Sequence, residues 1–145
     1  MRPQLVVAAA SVMGFIASMI GLYEYAYSGS QICPEITVAV RVSCETVYSV
    51  PQAELLGVHF SLIAPLYFAV LASASLLNLA VSRRILTAAV LAIAIPGALL
   101  TPYLVYLEIV VAGALCLWCT VMHLSLIAVT AVSLKETLKR YNSGI

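Results

Sequence analysis

The sequence contains no aspartate, and charged residues of any kind make up only 9% of its 145 positions. Soluble domains carry about 25%, so a water-bathed globular fold is excluded. Net charge is scarce as well: seven Lys and Arg face six acidic residues, leaving +1. That balance by itself says nothing useful about nucleic acid, which is not among the expected partners. No internal repeat or low-complexity tract is found. Strand-like alternation is missing from apolar runs such as Ile85–Leu100. This argues against a membrane β-barrel, whose strands alternate over about 10 residues. Cysteine is restricted to four positions, and their placement carries most of the chemical information.

Hydrophobic residues, by contrast, make up 63% of the chain. They collect in four runs, Leu5–Tyr27, Val58–Leu79, Ile85–Tyr106 and Val110–Leu134. Each reaches the roughly 20 residues that a helix needs to cross a hydrocarbon core of about 30 Å. The predicted fold is an all-α membrane protein: one domain over 1–145, a four-transmembrane-helix bundle, with a long loop over 28–57 between the first two helices. A secretory signal peptide is the other reading of the first run. Its apolar part, about 18 residues against the usual 7–15, is too long for one. The run also ends in Tyr23, Tyr25 and Tyr27, as an interfacial aromatic belt does.

Cationic side chains sort to one side of such a bundle. Arg2, the Arg83-Arg84 turn, and Lys135, Lys139 and Arg140 share a face, and only Arg41 lies opposite. The positive-inside rule then puts both termini in the cytoplasm and the 28–57 loop outside. Cys116 precedes Lys135 by 19 residues, about 28 Å of helix, which places it at the outer end of the fourth helix. All four cysteines are thus expected on the extracytoplasmic side of a multi-pass cell-membrane protein, where disulfides persist.

The loop has its own order. Ser28-Gly29-Ser30 reads as a flexible exit from the first helix, and Cys33 precedes Pro34 in an extended or turn conformation. The β-branched stretch Ile36–Val42 reads as a short strand or an apolar patch on the bilayer. Pro51–Leu56, with proline in its first turn, predicts a short helix lying on the interface. Glu108 reads as an interfacial residue at the turn before the fourth helix, and Lys135–Ile145 as a frayed polar end.

Cys116-Leu117-Trp118-Cys119 is a CxxC at a helix start. Its two sulfurs, one turn apart, can approach closely enough to form a disulfide. A helix N-terminus lowers a thiol pKa and so raises the nucleophilic thiolate fraction. Gly113 and Ala114 permit a tight entry into the helix. Trp118 suits an interface, its ring in apolar surroundings and its N–H toward water. Cysteines are also ordinary packing residues, Cys33 and Cys44 can form a purely structural bridge, and a four-thiolate metal site is a further reading. Metal sites favour two tight CxxC turns, whereas Cys33 and Cys44 lie 11 apart, so no metal is expected. The concentration of cysteine in one membrane pair and one loop pair favours a thiol relay.

With these residues in place, the chain resembles the vitamin K epoxide reductase family in its microbial branch. The likeness rests on Cys33 and Cys44 in the first loop, Ser49 five residues after Cys44, and Tyr103-Leu104-Val105-Tyr106 ahead of Cys116-Leu117-Trp118-Cys119. It extends from the first helix through the fourth. The bacterial DsbB family performs similar chemistry, but its CxxC lies in the first outer loop, the reverse of the order here. The resemblance implies a four-helix bundle around a quinone of menaquinone, ubiquinone or vitamin K type. Cys119 would be the thiol nearest the quinone, and Cys116 would exchange with a loop cysteine. Cys33 and Cys44 would receive electrons from a separate thioredoxin-like extracytoplasmic protein, since only a few residues follow the fourth helix.

Where the family often places Asn near the start of the second helix, this chain has His59-Phe60-Ser61. With Ser49, Cys119 and His123, these are the expected quinone contacts. His123 lies four residues after Cys119 on the same helix face and is suited to donate a proton or hydrogen bond. A polar group merely satisfied at a helix end is the plainer reading of His59. The expected function is membrane thiol oxidation that supports disulfide formation outside the cytoplasm. The alternatives are reduction of vitamin K epoxide, as in vertebrate relatives, or a structural bundle braced by a loop disulfide.

Overall fold

Small residues spaced three or four apart give the first helix one face that neighbours can approach closely. In the computed structural model, which describes residues 2–27, 32–37 and 39–143, α1 spans Pro3–Ala26. Pro3 occupies the first turn, where its missing N–H leaves no helical bond unmade. Ser11, Gly14, Ser18 and Gly21 form a buried stripe of the kind that lets membrane helices pack closely. Gly14 is held to glycine: a Cβ there would stand 2.1 Å from Cε1 of Phe68 on α3, Phe60–Val81.

Two further helices complete the bundle. α4 is Arg84–Tyr106, prolonged by a widened π-helical segment at Leu107–Ala112, and α5 is Leu117–Asn142. α1 packs along α3 and α5, and α4 packs on α5 and α3. The core draws Val7, Phe68, Leu71, Val90, Ala94, Leu126 and Val129 from all four helices. Polar pairs join the helices where apolar contact alone offers little directionality in lipid. The Ser11 and Ser75 hydroxyls meet at 2.9 Å, and Thr87 donates to Asn78 Oδ1 at 3.2 Å. With large apolar side chains such as Leu66, Leu99 and Leu124 turned outward, and with four helices among the described residues long and apolar enough to cross a bilayer, the chain is a multi-pass membrane protein.

Three expected boundaries are corrected. The second long helix starts at Phe60 rather than Val58, because Val58 and His59 form strand β4. The fourth starts at Leu117 rather than Val110: residues 110–112 prolong α4, Gly113 ends that element at φ +63°, and Cys116 caps the next helix. The last helix runs to Asn142 rather than Leu134, so the tail over 135–142 is not frayed. Arg140 ties it down by donating to the Ser82 carbonyl and hydroxyl, each at 3.1 Å, while Arg84 donates to the Arg140 carbonyl. The starts at Pro3 and Arg84 differ from expectation only within the usual fraying of helix ends.

In the loop, β1 (Ile36–Thr37) and β2 (Arg41–Val42) pair antiparallel, so the two described ends of the β-branched stretch form a pair of two-residue strands rather than one. Cys44–Tyr48 forms α2, its N-terminus capped by Ser43. The helix expected over Pro51–Leu56 is replaced by a hairpin of β3 (Glu54–Leu55) and β4 (Val58–His59). Leu56 at φ +55° and Gly57 at φ +80° make its two-residue turn, the backbone that matches strand twist. Ser28-Gly29-Ser30 lies outside the described residues.

Candidate active site

The loop is stapled to the start of α5 by backbone bonds. Val42 forms a parallel bridge with Leu115. Leu115 N–H donates to the Arg41 carbonyl at 2.8 Å, and Ser43 N–H donates to the Leu115 carbonyl at 3.0 Å. The residue after each of these contacts is a cysteine: Cys44 opens α2 and Cys116 caps α5. The staple therefore brings two cysteines that lie far apart in sequence into one buried cluster with Cys33, Val47 and Ala114.

Cys33 and Cys44 form a disulfide, and Cys116 and Cys119 are free thiols. Cys116 Sγ lies 2.9 Å from Cys44 Sγ. Cys44 is thus the loop sulfur in contact with the helix pair. Around Cys116, the Cys119 N–H donates to the sulfur at 3.4 Å and the Tyr48 hydroxyl stands 3.3 Å away. Burial pushes the Cys116 thiol up, but hydrogen bonds from Cys119 and Tyr48 outweigh it and hold the thiol below its ordinary value. Burial, then the neighbouring Cys119 and Cys116 charges, push the Tyr48 phenol far above its usual range. Tyr48 therefore keeps its proton and acts as a donor.

Cys119 lies on the other side, lining a cavity of about 260 Å³ between the four long helices and the loop. Its walls are overwhelmingly apolar. Of the residues expected at a quinone site, Cys119, His123, His59, Phe60 and Ser61 line this cavity. Ser49 does not: it is exposed and its hydroxyl donates to the Thr46 carbonyl at 2.8 Å. The turn of α2 that puts Tyr48 inward puts Ser49 outward. His59 Nδ1 accepts from Ser61 N–H at 3.2 Å and so caps α3, while its Nε2 is buried with no partner. Its ring stacks on Tyr25, centroids 4.2 Å apart, and burial lowers its pKa, leaving it neutral.

Glu108 is a correction. It is 3% exposed, not interfacial, because the π-helical segment turns it inward; such widenings recur at functional sites. Its Oε2 accepts the Cys116 N–H at 3.1 Å, its Oε1 stands 3.6 Å from His123 Nδ1, and it lines the cavity. Trp118 is another, since its N–H is buried without a partner rather than turned to water.

Glu24 and Tyr48 are not among the residues the sequence marks as candidates. Glu24 follows Gly21 by one turn on the buried stripe of α1, and an ionisable residue on the inward face of a membrane helix is itself a signal of function. Tyr48 carried no such signal, since a tyrosine in a loop helix is unremarkable in sequence.

The arrangement is linear: an outer disulfide, a sulfur–sulfur contact, and an inner thiol on an apolar cavity. Such a chain can pass electron pairs by thiol–disulfide exchange. A sequence model of the vitamin K epoxide reductase family matches residues 5–134 of this chain. No curated protein matches it.

Proposed function

The chain belongs to the vitamin K epoxide reductase family, and from that premise we propose that it is a membrane thiol oxidase that passes electrons from a thioredoxin-like protein to a quinone. The observation that carries this reading is the 2.9 Å contact between Cys44 and Cys116, with Cys119 beyond it on the cavity wall.

A reduced dithiol of the partner opens the Cys33–Cys44 disulfide. The Cys44 thiolate attacks Cys116 of an oxidised Cys116–Cys119 pair, forming the Cys44–Cys116 bond and releasing Cys119. Cys33 then attacks Cys44, which restores the loop disulfide and frees Cys116. The disulfide state described above, with the loop pair joined and the helix pair free, corresponds to the moment after that step. Tyr48 and the Cys119 N–H hold the departing Cys116 sulfur as thiolate.

The cavity suits a quinone: apolar walls accept its ring and tail, and the unpartnered His59 Nε2 offers a polar contact. When bound, the quinone supplies an acceptor of two electrons and two protons. Cys119 faces it, and His123, backed by Glu108, is placed to deliver protons. Phe60 and Ser61 shape the outer wall. The cysteine end lies opposite the cationic end formed by Arg83, Arg84, Lys139 and Arg140, which supports an extracytoplasmic site with both termini inside.

The test is reduction of a soluble quinone analogue by purified protein supplied with a reduced thioredoxin-like protein. Cys119→Ala abolishes turnover on this reading, and retained turnover would overturn it. Cys33→Ala traps a Cys44–Cys116 disulfide, identified by mass spectrometry of a non-reduced digest. Helix thiols that never join a loop cysteine would instead indicate a structural bundle.

A further inference from the structure

The thiol relay leaves one buried ionisable group without a task. Glu24, on the last turn of α1, is 9% exposed and sits against the loop disulfide. Its Oε1 accepts the Cys33 N–H. A carboxylate oxygen of Glu24 and the Sγ atoms of Cys33 and Cys44 all lie within 4.8 Å of one another. Oε2 is buried with no hydrogen-bond partner. Among the described residues no Lys, Arg or His lies within ion-pairing distance of it. The groups around it that can ionise are Tyr48 of α2, Cys33 and Cys44 once their disulfide is opened, and, beyond Cys44, Cys116 and Cys119 at the start of α5.

A carboxylate in this position, unneutralised by any cation, is expensive to bury unless a proton reaches it during the cycle. The neighbouring chemistry supplies one. Cys33 must lose its thiol proton before it can attack Cys44, because only the thiolate is nucleophilic.

We propose that Glu24 is the base that takes the proton from Cys33 as Cys33 resolves the Cys44–Cys116 disulfide. The inference rests on the thiol relay proposed above. Cys33 thiol, the Cys44–Cys116 disulfide and the Glu24 carboxylate become the Cys33–Cys44 disulfide, the Cys116 thiolate and the Glu24 carboxylic acid. The S–H bond of Cys33 and the Cys44–Cys116 bond break, and the Cys33–Cys44 and Glu24 O–H bonds form. Two electrons pass from the Cys33 sulfur to that of Cys116, so Cys33 is oxidised and Cys116 reduced. Negative charge moves from Glu24 to Cys116, where Tyr48 receives it. In the next cycle the partner's first thiolate attacks Cys33, the less deeply buried loop cysteine at 8% against 2% for Cys44. When its second thiol releases Cys33 as thiolate, the proton returns from Glu24. One proton is thus held locally through each turnover.

Glu24→Gln separates this role from a structural one, because its amide oxygen can still accept the Cys33 N–H. The experiment first establishes that wild-type protein oxidises a reduced thioredoxin-like substrate with a quinone analogue; a wild type that fails here sinks the relay itself rather than the role of Glu24. With an active wild type, Glu24→Gln is expected to slow resolution by roughly a hundredfold or more near neutral pH and to accumulate the Cys44–Cys116 disulfide. The deficit closes as pH approaches that of a free thiol, about 8.5, where Cys33 ionises unaided. Wild-type rates across the whole pH range, or a uniform loss without the trapped disulfide, overturn the proposal. Should Glu24→Gln not be recovered folded, Glu24→Asp keeps a carboxyl one methylene farther away. It should be slower than wild type with the same pH profile, and a shifted profile or an unchanged rate counts against the base.

Discussion

At the scale of single residues, the site depends on which groups keep protons and which release them. Cys116 is held below the ordinary thiol range by its hydrogen bonds, whereas Tyr48 is held far above the phenol range by burial. The two shifts are complementary: a phenol that does not ionise can donate to a thiolate throughout physiological pH. Removing that donor with Tyr48→Phe is expected to raise the Cys116 pKa. Because thiolate forms only above the pKa, its fraction at neutral pH should fall by about tenfold, the scale of one hydrogen bond to a charged group. The pH midpoint of Cys116 alkylation, located by mass spectrometry, checks this, and an unchanged midpoint would remove Tyr48 from the account. The cysteines and both histidines were legible as candidates because reactive residue types are rare in this chain. Glu24 gives no motif and Glu108 reads as merely interfacial, because their importance lies in the N–H groups they meet, on Cys33 and Cys116. Ser49 was misplaced because loop spacing alone does not say which way a short helix turns.

At the scale of elements, the spanning helices follow from apolar length, and their packing follows from small residues. Gly14 shows the second point: the ring of Phe68, only 2% exposed, occupies the space a side chain would need. Gly14→Ala should destabilise the protein by about 1–3 kcal/mol, as overpacking of a tight core does. Thermal unfolding in detergent measures the loss, and Gly14→Ala combined with Phe68→Leu should recover part of it. No recovery would show that the strain lies elsewhere. The elements least readable in sequence were those built by backbone geometry rather than periodicity. The β3–β4 hairpin depends on positive φ at Leu56, a residue that gives no turn signal of its own, and the π-helical segment at 107–112 interrupts no apolar pattern.

At the scale of the whole molecule, one end carries every Lys and Arg but Arg41 and the other carries Arg41 and the four cysteines, with the cavity between loop and helices. The orientation this supports is open to direct labelling. In a background with the native cysteines changed to alanine, Gln52→Cys in the loop should react with a membrane-impermeant maleimide in intact cells. Ser143→Cys, at the opposite end, should react only after lysis. The reverse pattern would invert the proposed topology.

The sequence by itself determined that this protein lives in a membrane, crosses it with four helices and carries two cysteine pairs. Hydrophobic run length, charge distribution and residue scarcity are local or compositional properties, and they survive without knowledge of contacts. Only the tertiary structure decided that Cys44 rather than Cys33 meets Cys116, that Glu24 and Glu108 stand behind the two pairs, and that Ser49 stands aside. Those outcomes depend on the Val42–Leu115 staple and on helix rotation, which join residues more than 70 positions apart. No local pattern encodes a contact of that range; it arises when the loop folds down onto the packed bundle.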